Sequence, residues 1–404
     1  MAARRVAIIG AGPAGLSAAR GYRDAGGEGS VTLLGAEPHL PYRRPPLTKE
    51  LLRGELERAE LALEEASWFA ERGVELRLDA RVREIDPARG EVRLEGGESV
   101  PADACVLATG SRPERLSVPG ADHEDVLEIR RLDDSERVIE RADDAVRAVV
   151  VGSGFIGCEA AASLSMRGLE VTLVSAEPVP QADRLGVAAG HRIADWLREA
   201  GVTPILGAQV EAIEDARRVR VANHPLLVAD LVLLATGVAP RGELAAAIGL
   251  ELRDGAVPVD ASMRSESTFL SAAGDVAWAL NRRAGRRLRV EHWGDALSQG
   301  ELAGRALAGE EAEWDDVPGF WSTIGSRTLK YAAWGDGFDE DHLVDHSGGA
   351  FTVWYGRDGV VVGVLTHERD EDYESGRELI ARKTSFSVAS IGLTAELAGP
   401  EDSQ

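Results

Sequence analysis

Two stretches of the chain share one hydrophobic pattern. Val6-Ala-Ile-Ile runs into Gly10-Ala-Gly12-Pro13-Ala14-Gly15 and then small helix formers, and Ala148-Val-Val-Val runs into Gly152-Ser-Gly154-Phe155-Ile156-Gly157 and then Cys158-Glu159-Ala. A short unbroken apolar run ended by a turn signal reads as a buried strand, with a helix behind it. A second strand follows each in nearly the same wording, Val31-Thr-Leu-Leu-Gly-Ala-Glu37 and Val171-Thr-Leu-Val-Ser175-Ala-Glu177. Each unit closes on a strand that ends in Ala-Thr-Gly, at Ala108-Thr109-Gly110 and at Ala235-Thr236-Gly237. The pattern predicts two nucleotide-binding βαβ units. Late in the chain the period shortens: Ala350-Phe-Thr-Val-Trp-Tyr, a Gly-Arg-Asp-Gly turn, and Val360-Val-Val-Gly-Val-Leu predict a β-hairpin.

The glycines have separate physical reasons. Gly10 and Gly152 make the tight bend, Gly12 and Gly154 let backbone approach a pyrophosphate, and Gly15 and Gly157 let helix meet strand. The helix N-terminus then faces the anion. A tight turn without a ligand would need the same residues, but two copies, each with an acid about 20 residues on, point to dinucleotides.

Composition narrows the classes. The 404 residues suggest two to three domains at about 150 residues each. The net charge of −23 disfavours nucleic acid and anionic membrane surfaces as partners. Cys105 and Cys158 stand far apart, so a disulfide framework, a thiolate cluster or a Cys-x-x-Cys pair is excluded, and a reducing cytoplasm is the expected compartment. Pro13 and the glycines spoil a signal-peptide reading of the start. No apolar run reaches the roughly 18 to 20 residues of a membrane helix.

A third signature, Phe269-Leu-Ser-Ala-Ala-Gly274-Asp275, follows the second unit. With it the chain resembles the two-dinucleotide-binding-domain flavoproteins. The narrower resemblance is to the NAD(P)H-dependent ferredoxin, rubredoxin and putidaredoxin reductases, including the reductase components of aromatic-ring dioxygenases. It rests on Leu40-Pro-Tyr42-Arg43-Arg44-Pro-Pro-Leu-Thr48-Lys49, on Val151 through Glu159, and on Val290-Glu291-His292-Trp293 through Gly300. The resemblance implies an α/β fold with two Rossmann-like domains, for FAD and NAD(P), and a small α+β C-terminal interface domain. The implied FAD domain is discontinuous, 1–112 with 242–320; the NAD(P) domain is 113–241 and the interface domain 321–404.

The resemblance also assigns residues. Lys49 lies beside the flavin N5 region and pairs with Glu159; the alternatives are a solvated lysine at a helix start and a carboxylate favoured by a helix dipole. Glu37 binds the FAD ribose, and Arg44 either meets a phosphate or forms a surface salt bridge, while Arg43 faces water. Asp275 binds the ribitol or caps a helix. Val82 and Arg130 contact FAD, or are a strand core position and a surface arginine. Ala108 and Gly110 border FAD, and Gly237 its counterpart site. Trp293 opens a helix aimed at the flavin. Trp321 either contacts the flavin or is ordinary core, and Thr323-Ile324 depart from the family's usual continuation. Ser175, Glu177 and Arg184 border the nicotinamide cofactor's ribose. Ser175 with Arg184, in a loop, would take a 2′-phosphate, whereas Glu177 would repel it, so a modest NADH preference is expected.

Three features have plainer readings. Cys158 is a packed thiol. His342 and His346 sit in a solvated acidic loop with no third soft ligand, so no metal is expected. Arg282, Arg283, Arg286, Arg287 and Arg289 are a solvated loop or a docking patch for an acidic iron–sulfur carrier. The implied activity is hydride transfer from NADH or NADPH to FAD, then single electrons to a ferredoxin that supplies a cytochrome P450 or dioxygenase. A reductase of a small acceptor such as a quinone or dehydroascorbate, and a signalling flavoprotein resembling apoptosis-inducing factor, are the alternatives.

Overall fold

The computed structural model describes residues 4–387. Polar tail residues from Ala398 on, read as frayed, lie outside the described residues. The first unit is a parallel sheet of five strands, β1 (Val6–Ile9), β2 (Val31–Leu34), β3 (Val74–Arg77), β4 (Ala104–Leu107) and a strand that arrives much later, Leu270–Ala272. Its order is Leu270–Ala272, β4, β1, β2, β3, with Val6 opposite both Val31 and Ala104. The second unit repeats it with β5 (Val126–Glu128), β6 (Arg147–Val151), β7 (Glu170–Val174), β8 (Val202–Ile205) and β9 (Leu231–Leu234), in the order β8, β7, β6, β9, β5. In both, the chain leaves the first strand toward one side while the Ala-Thr-Gly strand lies on the other. That divergence opens a crevice at the strand ends, where ligands of such sheets bind.

Four helices matter for the site: α1 (Pro13–Asp24), α2 (Phe155–Met166), α3 (Ala182–Glu199) and α4 (Trp293–Ala308). The α1 and α4 backbones touch, for a Cβ at Gly300 would lie 2.2 Å from the Ala14 carbonyl oxygen and one at Gly304 2.1 Å from that of Ala18. Small residues in both helices are what let the first turn of each reach the same crevice.

The last sheet is antiparallel and mixed with one helix, as expected. Its strands are β10 (Gly319–Ile324), β11 (Arg327–Ala333), β12 (Glu340–Asp345), β13 (Phe351–Arg357) and β14 (Val360–His367), ordered β10, β11, β14, β13, β12. β13 and β14 are the predicted hairpin, turning on Asp358 and Gly359 at φ of 51° and 73°. His342 lies on edge strand β12 and not in a loop, a correction; charges along an edge strand hide the alternating pattern and discourage further pairing. Tyr331, Tyr355 and Leu365 share one core with Leu173 and Leu185, so this sheet is packed onto the second unit, and the Tyr355 hydroxyl donates to the Leu185 carbonyl at 2.8 Å.

Candidate active site

The first glycine turn borders a deep cavity. Gly10 has φ of +111°, and a Cβ there would lie 2.2 Å from the Ala108 carbonyl oxygen; at Gly15 it would lie 1.9 Å from the Gly10 oxygen. These two positions cannot be anything else. Gly12 differs, because a Cβ there would meet nothing within 4 Å and would occupy the cavity that Gly12 lines. Gly12 also caps α1 without a side-chain hydrogen bond, with Pro13 behind it and no acid in the first turn. Amides left without an internal acceptor at a helix start, beside open space, fit the diphosphate of a dinucleotide.

The cavity walls come from distant segments. The carboxylate of Glu37 accepts from the Tyr42 hydroxyl at 2.6 Å and from Arg44 Nη2 at 2.9 Å. Arg44 also donates to the Arg130 carbonyl at 2.5 Å and lies over the Tyr42 ring. Its ion pair is therefore inside the cavity wall, not the surface bridge considered from sequence. Asp275 accepts from Ser111 Oγ and from Arg130 Nη2, both at 2.7 Å. Burial raises the Asp275 pKa, but Arg130 and the Ser111 hydroxyl outweigh it and hold the carboxyl below its usual range. No helix starts at Asp275, so the capping alternative is set aside, and Arg130 is tied down by Asp275, not a free surface arginine. Val82 opens a strand, is half-buried against the core of the first unit and also lines the cavity, as Ala108 and Gly110 do, so both of its readings hold.

A cation excess escaped the sequence reading. Arg81, Arg131 and Arg241 also line the cavity. The Arg241 backbone is clamped at both ends, its amide on the Gly110 carbonyl and its carbonyl accepting from Thr109 Oγ1, while its buried Nε has no hydrogen-bond partner among the described residues. Burial and then Arg131, Arg130 and Arg81 lower its pKa. Only the fold brings these residues to one wall; along the chain they are ordinary arginines.

At another part of the wall, Glu159 lines the cavity and Lys49 reaches it from behind: Lys49 Nζ donates to Glu159 Oε2 at 3.0 Å, and both are buried. The predicted pair is therefore brought together, and the solvated-lysine reading is set aside. Lys49 itself is not among the lining residues. Phe155, Ile156 and the start of α4 at His292 and Trp293 complete this part. Burial, and Asp275 next, push the Glu291 carboxyl up. Trp321 lines the cavity yet is 47% exposed, which rules out ordinary core packing and puts it at the mouth. Phe320 beside it contacts the rings of Phe155 at 4.6 Å and His292 at 4.7 Å.

The second glycine turn repeats the first. A Cβ at Gly152 would lie 2.2 Å from the Ala235 carbonyl oxygen and one at Gly157 2.1 Å from that of Gly152, whereas at Gly154 its nearest neighbours are 3.9 Å away. Ser175 is buried, and its hydroxyl is 2.7 Å from that of Ser153. Ser153 Oγ also donates to Glu177 Oε2 at 3.0 Å, and the Asp183 amide to Glu177 Oε1 at 3.2 Å. Ser175 is thus engaged inward. Arg184 is in the first turn of α3, not a loop, and its guanidinium lies over Phe155 and lines the first cavity. Gly237 has φ of +111° at the end of the second Ala-Thr-Gly.

The arginine run is neutralised where it stands. Arg282 pairs with Glu313, Arg283 with Asp315, Arg286 with Asp336 and Arg289 with Glu291; Arg287 lies over Trp278 and donates to the Val259 carbonyl. Arg286–Leu288 is a strand and not a loop. Cys158 is buried with its thiol directed at the Ser153 carbonyl, and burial pushes the thiols of Cys158 and Cys105 up, away from the reactive thiolate. Among the described residues no group of three His, Cys, Asp or Glu could hold a metal, and no helix is long and apolar enough to cross a membrane.

Comparison with known proteins agrees with this geometry. Residues 4–300 match the family described as pyridine nucleotide-disulphide oxidoreductase, and residues 319–395 the one described as reductase C-terminal. The chain is 32% identical over 388 residues to the benzene 1,2-dioxygenase system ferredoxin–NAD(+) reductase subunit of Pseudomonas putida, covering 94% of this chain and 92% of that protein. It is similar to the reductase in the covalent putidaredoxin reductase–putidaredoxin complex, with a TM-score of 0.91, 28% identity, and coverage of 97% and 96%. The ferredoxin reductase for the CYP199A2 system of Rhodopseudomonas palustris gives a TM-score of 0.91 at 32% identity, covering 98% of both chains. A repeated dinucleotide fold carrying a reductase C-terminal sheet makes this chain a member of the pyridine nucleotide-disulphide oxidoreductase family.

Proposed function

We propose that the protein is an FAD-dependent NAD(P)H:ferredoxin oxidoreductase. The observation that carries this is the cavity itself: a buried Lys49–Glu159 pair stands at its wall, both thiols of the chain are buried and neither lines it, and Trp321 is exposed at its mouth. Electrons therefore have no thiol relay and must leave from the flavin. FAD, when bound, supplies hydride acceptance and stepwise electron release. The chain's residues hold and bias it. Gly12 and the amides of α1 receive the diphosphate, Glu37 and Asp275 accept from sugar hydroxyls, and Arg44, Arg130 and Arg241 offset phosphate charge. Lys49, working through Glu159, and the N-terminus of α4 place positive potential where reduction adds negative charge.

The remaining assignments belong to the same proposal. Residues 1–112 with the segment from 242 form the FAD unit, 113–241 the nicotinamide unit and the last part of the chain the interface unit; strand sharing supports this three-part division but moves the last boundary from 321 to before Gly319, because β10 belongs whole to the C-terminal sheet. NADH is favoured over NADPH, since Glu177 lies just past the strand end with no cation paired to its carboxylate among the described residues and Ser175 is engaged by Ser153. An iron–sulfur carrier of acidic character docks at the cavity mouth, by Trp321 and the exposed Arg184; the run from Arg282 to Arg289, already facing carboxylates, is left with little charge to offer. A reducing cytoplasm suits two unpaired buried thiols.

Steady-state reduction of purified ferredoxins, compared with ferricyanide, quinones and dehydroascorbate, tests the reading. Ferredoxin reduction with kcat/KM well above that of every small acceptor is expected. Efficient turnover of a small acceptor with none of ferredoxin would replace this function by the small-acceptor one.

A further inference from the structure

The carboxylate of Glu159 is held by three donors from two other parts of the chain. Oε2 accepts from Thr48 Oγ1 at 2.5 Å and from Lys49 Nζ at 3.0 Å, both supplied by the first unit. Oε1 accepts from Ser322 Oγ at 2.7 Å, on β10 of the C-terminal sheet. Ser322 is 1% exposed. A buried carboxylate oxygen is strongly bound only when a donor faces it, and a serine hydroxyl has one hydrogen to give, which here goes to Glu159.

This contact is part of a register. Phe155 and Glu159 are four apart on one face of α2, about 6 Å along the helix. Phe320 and Ser322 are two apart on one face of β10, about 6.6 Å along the strand. The steps match, and the two positions meet in order: Phe155 on Phe320 with ring centroids 4.6 Å apart, and Glu159 on Ser322. The residue between, Trp321, points to the opposite face and is exposed. Thr48 is fixed in turn, since Ser163 of α2 donates to its carbonyl at 2.8 Å.

We propose that Ser322 is a positioning residue for nicotinamide-driven reduction: by occupying Glu159 Oε1, it keeps Oε2 directed at Thr48 and Lys49, so that the C-terminal sheet sets the placement of the Lys49 charge. This rests on the reading that the Lys49–Glu159 pair assists hydride transfer. With Ser322 gone, Oε1 has no other protein donor among the described residues, and the carboxylate is free to turn and draw the ammonium with it.

Anaerobic stopped-flow reduction of the holoenzyme by NADH reads the effect directly. Ser322→Ala should keep its flavin and lose about tenfold in the limiting reduction rate, with the concentration of NADH at half-maximal rate changed less than about threefold. Ser322→Thr, which retains a hydroxyl, should recover most of the rate. In a Glu159→Gln background, Ser322→Ala should cost no further rate, because the serine acts through the carboxylate. An equal loss in both backgrounds, or a wild-type rate in Ser322→Ala, overturns the proposal. If the alanine variant does not fold, Ser322→Cys, whose thiol is a poor donor, replaces it: a slow cysteine variant beside a fast threonine variant supports the role, and wild-type rates in both overturn it. Lys49→Met separates the layers. Slow reduction in Lys49→Met with a wild-type Ser322→Ala removes Ser322 alone, whereas a wild-type rate in Lys49→Met removes the pair and, with it, the serine.

Discussion

The two glycine turns of this protein share their glycine spacing and their close backbone approaches, yet the acids that follow their second strands live in different electrostatic surroundings. Glu37 is neutralised by Arg44 and covered by Tyr42 inside the cavity wall; Glu177 is held by a serine hydroxyl and a backbone amide, with no cation on it among the described residues. A neutralised acid in a deep wall suits a cofactor that stays. An acid that meets only a hydroxyl and an amide suits one that must come, discriminate and leave. The repeat thus became a resident site and an exchange site through what surrounds each acid, while the backbone stayed the same.

The largest test of that contrast is a methyl-bearing side chain at each open glycine. Gly12→Val should abolish flavin retention, seen as a colourless purified protein, because the cavity side of Gly12 is where the ligand must approach. Gly154→Val should purify yellow and raise the half-saturating nicotinamide concentration by roughly a hundredfold. Loss of FAD in both variants would erase the distinction. Next comes Lys49→Met, expected to retain FAD and slow anaerobic reduction by NADH by about 10²-fold, the size of one lost charge-stabilising contact in a water-poor site.

How much of this could be read along the chain depends on whether the deciding contact is local. Gly10, Gly12 and Gly15 were legible because turn, approach and helix packing are settled within a few residues. Ser322 and Arg241 were not, since each meets its partners only after a remote segment folds back, and neither stands in a pattern of its own. Arg184 and the run from Arg282 to Arg289 misled for a related reason: a count of charges gives sign but not partner, and the acids that neutralise the run come mostly from 313 to 336. Ser175 looked like a phosphate acceptor until Ser153 was seen to engage it.

Smaller effects sharpen the comparison further. Glu177→Ala should lower the ratio of kcat/KM for NADH over NADPH by roughly tenfold, the value of a hydrogen bond to a charged group; a wild-type preference for NADPH would reassign the site. Acidification should loosen the resident site first. Asp275 has a folded pKa below its unfolded one, so its contribution is present above about pH 4 and is lost as pH falls through the folded value. In Asp275→Asn that acid-dependent part of flavin release, followed by flavin fluorescence, should disappear. The smallest effect belongs to the neutralised run: the double variant Arg286→Glu with Arg287→Glu should change ferredoxin reduction at low salt by less than about twofold, whereas a large loss would restore the run as a docking patch.

The matched step between α2 and β10 also bears on how such proteins can be recombined. A chimera that takes its C-terminal sheet from a relative keeps a working junction only if the strand enters with the same parity, Phe320 and Ser322 inward and Trp321 outward. One inserted residue before Phe320 would exchange the faces, presenting indole to Glu159 and a hydroxyl to the cavity mouth. Indels of even length would preserve parity within the strand, while odd ones would sever the sheet from the carboxylate even though both modules still folded.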